Sequence, residues 1–209
     1  MAKKAVSIIR LDKTHVKQAA GVLSRALQED PVFTYCIPDA ATRKAKSHYI
    51  FETLMRYCIL HGEAYATSGF ECVDICLPHH KVEMNLWNLV CNGGLSVLIH
   101  LGLASVLRLL TVSKGMCTIH KQLAPYPHKY GFLIGVEPSL QGQGYASPLL
   151  NYVFAKMDSE GVHRYLESTN EKNLALWEHY GFKVIKEYQI PKTQIRIWAM
   201  LRKPGSKKS

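Results

Sequence analysis

The sequence predicts a mixed α/β fold built on one sheet, and three observations point to it. Strand-like and helix-like segments alternate along the 209 residues. Residues 130–136, Tyr-Gly-Phe-Leu-Ile-Gly-Val, form an apolar run of the kind a central strand shows when both faces are covered. Hydrophobic residues make up 47% and charged residues 20%, which excludes disordered, collagen-like and coiled-coil chains. No internal repeat, low-complexity tract or linker interrupts the chain, so residues 1–209 read as a single domain.

Residues 6–11 read as a first strand ending at Asp12, a capping residue for a helix that begins near Lys13. In that helix Val16, Ala19, Ala20, Leu23 and Leu27 recur at spacings of three and four, and Asp30-Pro31 is expected to stop it. After a loop with Pro38 and Asp39, a helix is expected over residues 42–60, with Gly62 as its left-handed cap. Strands over 63–67 and 72–77 follow, separated by Ser68-Gly69. Residues 81–122 read as a helical insertion of two or three helices, broken at Asn92-Gly93-Gly94 and ended around Gly115. Beyond the strand at 130–136 come a glycine loop, a helix through Met157, a strand at 164–168, a helix at 170–180 stopped by Gly181, and strands at 184–189 and 194–201.

Lys and Arg number 26 against 16 Asp and Glu, a net charge of +10 that suits anionic partners, although Lys3, Lys4, Arg202, Lys203, Lys207 and Lys208 place much of it at the ends. The basic start carries too few apolar residues for a secretory leader. Cysteines 36, 58, 72, 76, 91 and 117 are scattered, which fits reduced thiols and a cytoplasmic location. Cys72, Cys76, His79 and His80 sit close together, but a strand spacing and the lack of a second Cys pair argue against a zinc clip, and no metal is expected. His100 and Arg108 interrupt the apolar stretch 94–112, so a buried or pocket-covering helix is expected there and no membrane partner.

A buried strand, a loop with two glycines and then a helix is a recipe for holding phosphate, because first-turn amides lack intrahelical acceptors and glycine lets the backbone approach closely. The triphosphatase loop requires Gly-Lys-Ser or Gly-Lys-Thr, and no lysine lies between Lys129 and Lys156. The dinucleotide fingerprint lacks its third glycine. The remaining pattern, Gln141-x-x-Gly144-x-Ala146 after Glu137-Pro138-Ser139, resembles the acyl-CoA loop of the GNAT superfamily of N-acetyltransferases. Residues 165–174, Tyr-Leu-Glu-Ser-Thr-Asn-Glu-Lys-Asn-Leu, followed by Trp177-Glu178-His179-Tyr180-Gly181-Phe182, resemble that superfamily's second signature. Residues 26–31 with Pro38-Asp39, and His128-Lys129-Tyr130, are similar to its puromycin N-acetyltransferase-like branch.

The resemblance implies a GNAT-like mixed sheet splayed near residues 130–136, with acetyl-CoA as co-substrate in the opening. It implies that the backbone of Ile134, Gly135 and Val136 bonds the pantetheine arm. The amides of Gln141, Gly142, Gln143, Gly144, Tyr145, Ala146 and Ser147 would hold the pyrophosphate, and Asn173 would touch the cofactor. The reaction implied is direct attack by a primary amine of a small molecule or peptide on the thioester within a ternary complex. Positioning, an oxyanion donor and a base carry such a reaction. Glu167 is the first candidate base and His128 the second. Trp177 occupies the place where many members carry a tyrosine acid, and Tyr180, about one helical turn on, is the candidate replacement. Trp87, Leu95, Leu98, Leu101 and Met116 suggest an apolar acceptor wall, and Glu83 is nearly alone there as an acid, so no polyamine site is evident. A CoA-binding sensor without transfer is the alternative, and a basic nucleic-acid module a more remote one, since no interleaved aromatic and basic motif supports it and no nucleic-acid partner is expected. A monomer or homodimer is expected.

Overall fold

The computed structural model describes residues 6–206. Seven strands make one sheet: β1 (Ile8–Arg10), β2 (Glu63–Thr67), β3 (Cys72–Pro78), β4 (Lys129–Val136), β5 (Arg164–Ser168), β6 (Phe182–Gln189) and β7 (Arg196–Arg202), in the spatial order β1-β2-β3-β4-β5-β7-β6. Every neighbouring pair is antiparallel except β4 and β5. That parallel pair is short. Lys129, Tyr130 and Gly131 face Arg164, Tyr165 and Leu166, and beyond them β4 continues alongside β3 alone. Among the described residues, the second edge of 132–136 therefore has no strand partner. The run expected to be covered on both faces is only half-buried from Phe132 to Ile134, because the sheet parts there.

Among the described residues there are eight helices: α1 (Val16–Ala26), α2 (Pro31–Cys36), α3 (Ala40–Lys46), α4 (His48–His61), α5 (Leu86–Cys91), α6 (Gly94–Leu123), α7 (Ala146–Ser159) and α8 (Leu174–His179), of which α1, α4, α7 and α8 lie against the sheet. Asp12 caps a short 3-10 turn that leads into α1, its side chain accepting from the Thr14 amide while His15 accepts from the Asp12 amide. Asp30 and Pro31 open α2 instead of merely ending α1. The Asp30 side chain accepts from the Val32 amide, and proline at the first helical position has no N–H to leave unpaired. The helix expected over 42–60 is two, α3 and α4, joined at Ser47. Gly62 ends α4 with φ −142°, so a left-handed cap is not the reason for glycine. A Cβ there would lie 2.2 Å from the Cys76 carbonyl oxygen, and it is the close approach of β3 that requires glycine. The helix expected at 170–180 is a 3-10 turn, Glu171–Asn173, followed by α8.

One core joins α1, α2, α4 and α6 to one face of the sheet, through Leu23, Phe33, Phe51, Met55, Ile75 and Tyr165. A second, around Leu149, Leu150, Met157, Trp177, Phe182 and Met200, lies between α7, α8 and the sheet. Cys72 and Cys76 belong to this second core as apolar packing. Arg164 and Asp74 form an ion pair at 2.6 Å within it, exposed by only 2% and 1%. The guanidinium passes close over β4, so that a Cβ on Gly131 would fall 2.9 Å from Arg164 Nε. Glycine is required there by the arginine.

The segment 81–122 departs most from expectation. α6 runs past Gly115 to Leu123, and its bend is at Gly102, with φ 77° and ψ 167°, a backbone conformation that glycine alone adopts freely. Only 17% of its most apolar stretch is buried, and among the described residues it is the one helix long and apolar enough to cross a membrane. Its inner side covers a cavity and its outer side is exposed, so the expected pocket cover is present but is not a buried helix.

Candidate active site

The splay between β4 and β5 leads to two adjoining spaces. On one side is a cleft of about 580 Å³ bounded by Ile134, Gly135 and Val136 of β4, the loop 140–147, and Asn173, Trp177 and Tyr180. Gly142 and Gly144 have φ of 76° and 84°, and a Cβ on either would meet nothing within 4 Å. Glycine serves the turn here and not a tight fit. Among the described residues, the amides of Gly142, Gly144, Tyr145 and Ala146 take no backbone acceptor. The 14-residue helix α7 begins at this point without a side-chain cap, so its free amides and its positive dipole end border the cleft. This loop fits a diphosphate. Of the residues expected to line it, Gln141, Gly142, Gly144, Tyr145, Ala146 and Ser147 do, whereas Gln143 turns away and donates to the Ser139 carbonyl at 3.0 Å.

Gly135 has a separate role. A Cβ on it would stand 2.8 Å from Ala26 Cβ and 3.0 Å from Leu23 Cδ2, so its lack of a side chain lets α1 lie against β4. Arg25 at the end of α1 clamps Glu137 through Nε and Nη2, at 3.0 and 2.7 Å, fixing the exit of β4 into the loop.

On the far side of the splay is a cavity of about 220 Å³ under α6, which Glu167 borders. The Glu167 carboxylate accepts three tyrosine hydroxyls: Tyr130 at 2.5 Å on Oε2, and Tyr165 and Tyr188 at 2.7 Å each on Oε1. Desolvation raises its pKa above the ordinary glutamate value, and the three donors oppose that by favouring the charged form. Asp30 also borders the cavity, accepting from the Thr169 hydroxyl at 2.5 Å, and its pKa is raised by burial as well. A smaller space in the splay lies between them, sharing Asp30, Glu167 and Thr169 with the cavity and Asp30, Asn173 and Trp177 with the cleft.

His128 is brought elsewhere. Its ring is buried, with Nδ1 2.8 Å from the Tyr126 carbonyl and Nε2 2.8 Å from His120 Nε2, and it lines a cleft with His79 and Lys129. Desolvation lowers the pKa of both His120 and His128 to about 4. Tyr180 and Trp177 both line the cofactor-side cleft, and the Tyr180 carbonyl accepts from Arg202 Nε at 2.9 Å. Of the expected acceptor wall, Met116 lines the cavity, while Trp87, Leu95 and Leu98 are exposed by 73%, 56% and 40%. Asp30, Thr169 and the three tyrosines were not read as site residues. Asp30-Pro31 read as a helix boundary, and tyrosines on three different strands converge only once the sheet is built.

A splayed mixed sheet with a glycine loop at the head of a helix defines a class, and comparison agrees: residues 114–182 match the model of the acetyltransferase (GNAT) family. Over that stretch, from the end of α6 through the glycine loop to α8, the chain is similar to that family. Over 207 residues it is 24% identical to an uncharacterized N-acetyltransferase of Schizosaccharomyces pombe, covering 93% of this chain and 82% of that one. Its fold is similar to that of a protein described as histone acetyltransferase HPA2 and related acetyltransferase from Corynebacterium glutamicum. That likeness has a TM-score of 0.66 and 19% identity, over 96% of this chain and 97% of that one. Arylalkylamine N-acetyltransferase 2 from Aedes aegypti has a TM-score of 0.64 at 10% identity, over 97% of this chain and all of that one. At such identities the two structures speak for the fold alone.

Proposed function

We propose that the protein transfers an acetyl group from acetyl-CoA directly to a primary amine of a small molecule or peptide, with both substrates bound at once. The observation that carries this reading is the small space in the β4–β5 splay, bordered both by residues of the amide-lined cleft and by the half-buried Glu167 carboxylate. Acetyl-CoA supplies the acyl group in activated thioester form. The amides of loop 141–147, with the N-terminus of α7, hold the diphosphate. The unpaired edge of Ile134, Gly135 and Val136 pairs with the amide groups of the pantetheine arm, and Asn173 stands beside it.

Glu167 takes the proton from the incoming ammonium, directly or through one water. Its raised pKa brings it closer to neutrality, where a base works best, and the tyrosine hydroxyls hold its two oxygens in fixed directions. Tyr180, on the cofactor side, is the residue assigned to protonate the departing thiolate, Trp177 being unable to release a proton. His128 is buried against His120 in a separate cleft and is left out of the reaction.

Calorimetric titration with CoA, followed by a mass-spectrometric screen of amines with acetyl-CoA, tests the proposal. Tight CoA binding and a mass gain of one acetyl group on an amine are expected. No binding at millimolar CoA would overturn it, and binding without acetylation of any amine would favour a CoA sensor.

A further inference from the structure

The cavity beneath α6 has a division of chemistry along its length. Its wall away from the splay is aliphatic and aromatic, formed by Ile50, Leu54, Val97, Val106, Leu109 and Met116. Among the described residues that line it there is no lysine, arginine or histidine, and the only acids are Asp30 and Glu167. Both acids also border the smaller space in the splay, beside the cofactor-side residues Asn173 and Trp177, so the charged end of the cavity is its reacting end. We infer that the acceptor is a monoamine on an apolar alkyl or arylalkyl body, its nitrogen lodged between Asp30 and Glu167 and its body along α6. This deepens the proposed function and rests on it.

The argument is one of solvation. An ammonium at the acidic end meets two carboxylates that are already desolvated, and so exchanges water for fixed opposite charge. A second ammonium five bonds away, as in putrescine, would lie among aliphatic side chains with no acid to receive it, a position that strongly disfavours a charge. A peptide amine would bring several backbone amides against the same wall, where only the side chains of Thr53, Ser113 and Cys117 offer polar atoms. An apolar body, in contrast, is favoured in proportion to the surface it buries. α6 contributes to the cavity on both sides of its bend at Gly102, through Gly94 and Val97 before it and Val106, Leu109 and Met116 after it.

The test compares kcat/KM for butylamine, hexylamine, octylamine, 2-phenylethylamine, putrescine, spermidine and a short peptide with a free N-terminus, at fixed acetyl-CoA. Expected is a rise of about fourfold per added methylene until the cavity is filled, with putrescine at least a hundredfold below hexylamine. In Met116→Ala the optimum moves toward the longer chain, and Leu109→Asp selectively raises putrescine relative to hexylamine. Preference for putrescine, spermidine or the peptide, or rates indifferent to chain length, would overturn the inference and leave N-acetyl transfer standing. If CoA binds but no amine is acetylated, the transfer reading fails. Calorimetric binding of 2-phenylethylamine to the CoA-loaded protein, weakened by Leu109→Asp, then still supports the apolar cavity, and its absence overturns it.

Discussion

At the scale of single residues, Glu167 concentrates most of the chemistry. Three hydroxyl donors from three different strands are aimed at one carboxylate, so substitution tests a charge while much of the packing survives. Glu167→Gln keeps the size and loses the base, and kcat is expected to fall by roughly 10²-fold or more, with KM for acetyl-CoA little changed. The folded-state pKa of this residue lies above the ordinary glutamate value. Activity of the parent protein should therefore climb with pH through an acid limb displaced upward from that value, and Glu167→Gln should lack the limb. Steady-state rates across pH check both. The candidate was legible in the sequence because it stands on the strand before an Asn-rich turn. Its tyrosine partners were not, because Tyr130, Tyr165 and Tyr188 are separated by 35 and 23 residues and meet only through the register of β4, β5 and β6. The sequence ranks Glu167 ahead of His128 without excluding the histidine. Burial against His120 distinguishes them.

At the scale of elements, glycines determine how closely layers approach. Gly135→Ala would drive a methyl group into Ala26 and Leu23, and a destabilisation of about 1 to 3 kcal/mol is expected, read as a lowered denaturant midpoint. The histidine pair between α6 and the start of β4 gives a second prediction. His120 and His128 resist protonation in the folded state until about pH 4, whereas unfolded imidazoles take up protons below about pH 6.5. The unfolded chain then binds more protons across that window, so stability is fully present above it and falls as pH drops through it, by up to about 1.4 kcal/mol per pH unit for each ring. Melting temperatures at pH 7 and pH 5 should differ, and the difference should shrink in His120→Gln. The strands and the helix after the glycine loop could be read from periodicity because each buries one clear face. α5 and α6 were legible as helices broken at Asn92-Gly93-Gly94, but the bend at Gly102 and the end at Leu123 were not, because a helix that covers a cavity on one side and leaves leucines exposed on the other has no single apolar face to mark its bounds.

At the scale of the whole molecule, the expectation of reduced thiols can be tested directly. Cys36, Cys58, Cys72, Cys76 and Cys117 are buried and Cys91 is exposed. Burial raises the pKa of Cys36 and Cys76 to about 12 and of Cys117 to about 11. A thiol-specific chromophoric reagent at pH 8 should modify one cysteine rapidly in the native protein and all six in guanidinium. Two or more fast thiols would indicate that one of these cores opens locally.

The three-residue parallel seam between β4 and β5 has a further mechanical consequence. It makes the sheet two antiparallel halves, β1 to β4 and β5 to β6, fastened at one end like the arms of a clothes-peg. A molecule seated between the arms substitutes for the missing rungs. Occupancy should accordingly slow hydrogen exchange of the amides of residues 132–136 more than that of any outer strand, and the grip on the nucleotide and the cohesion of the two halves should rise and fall together.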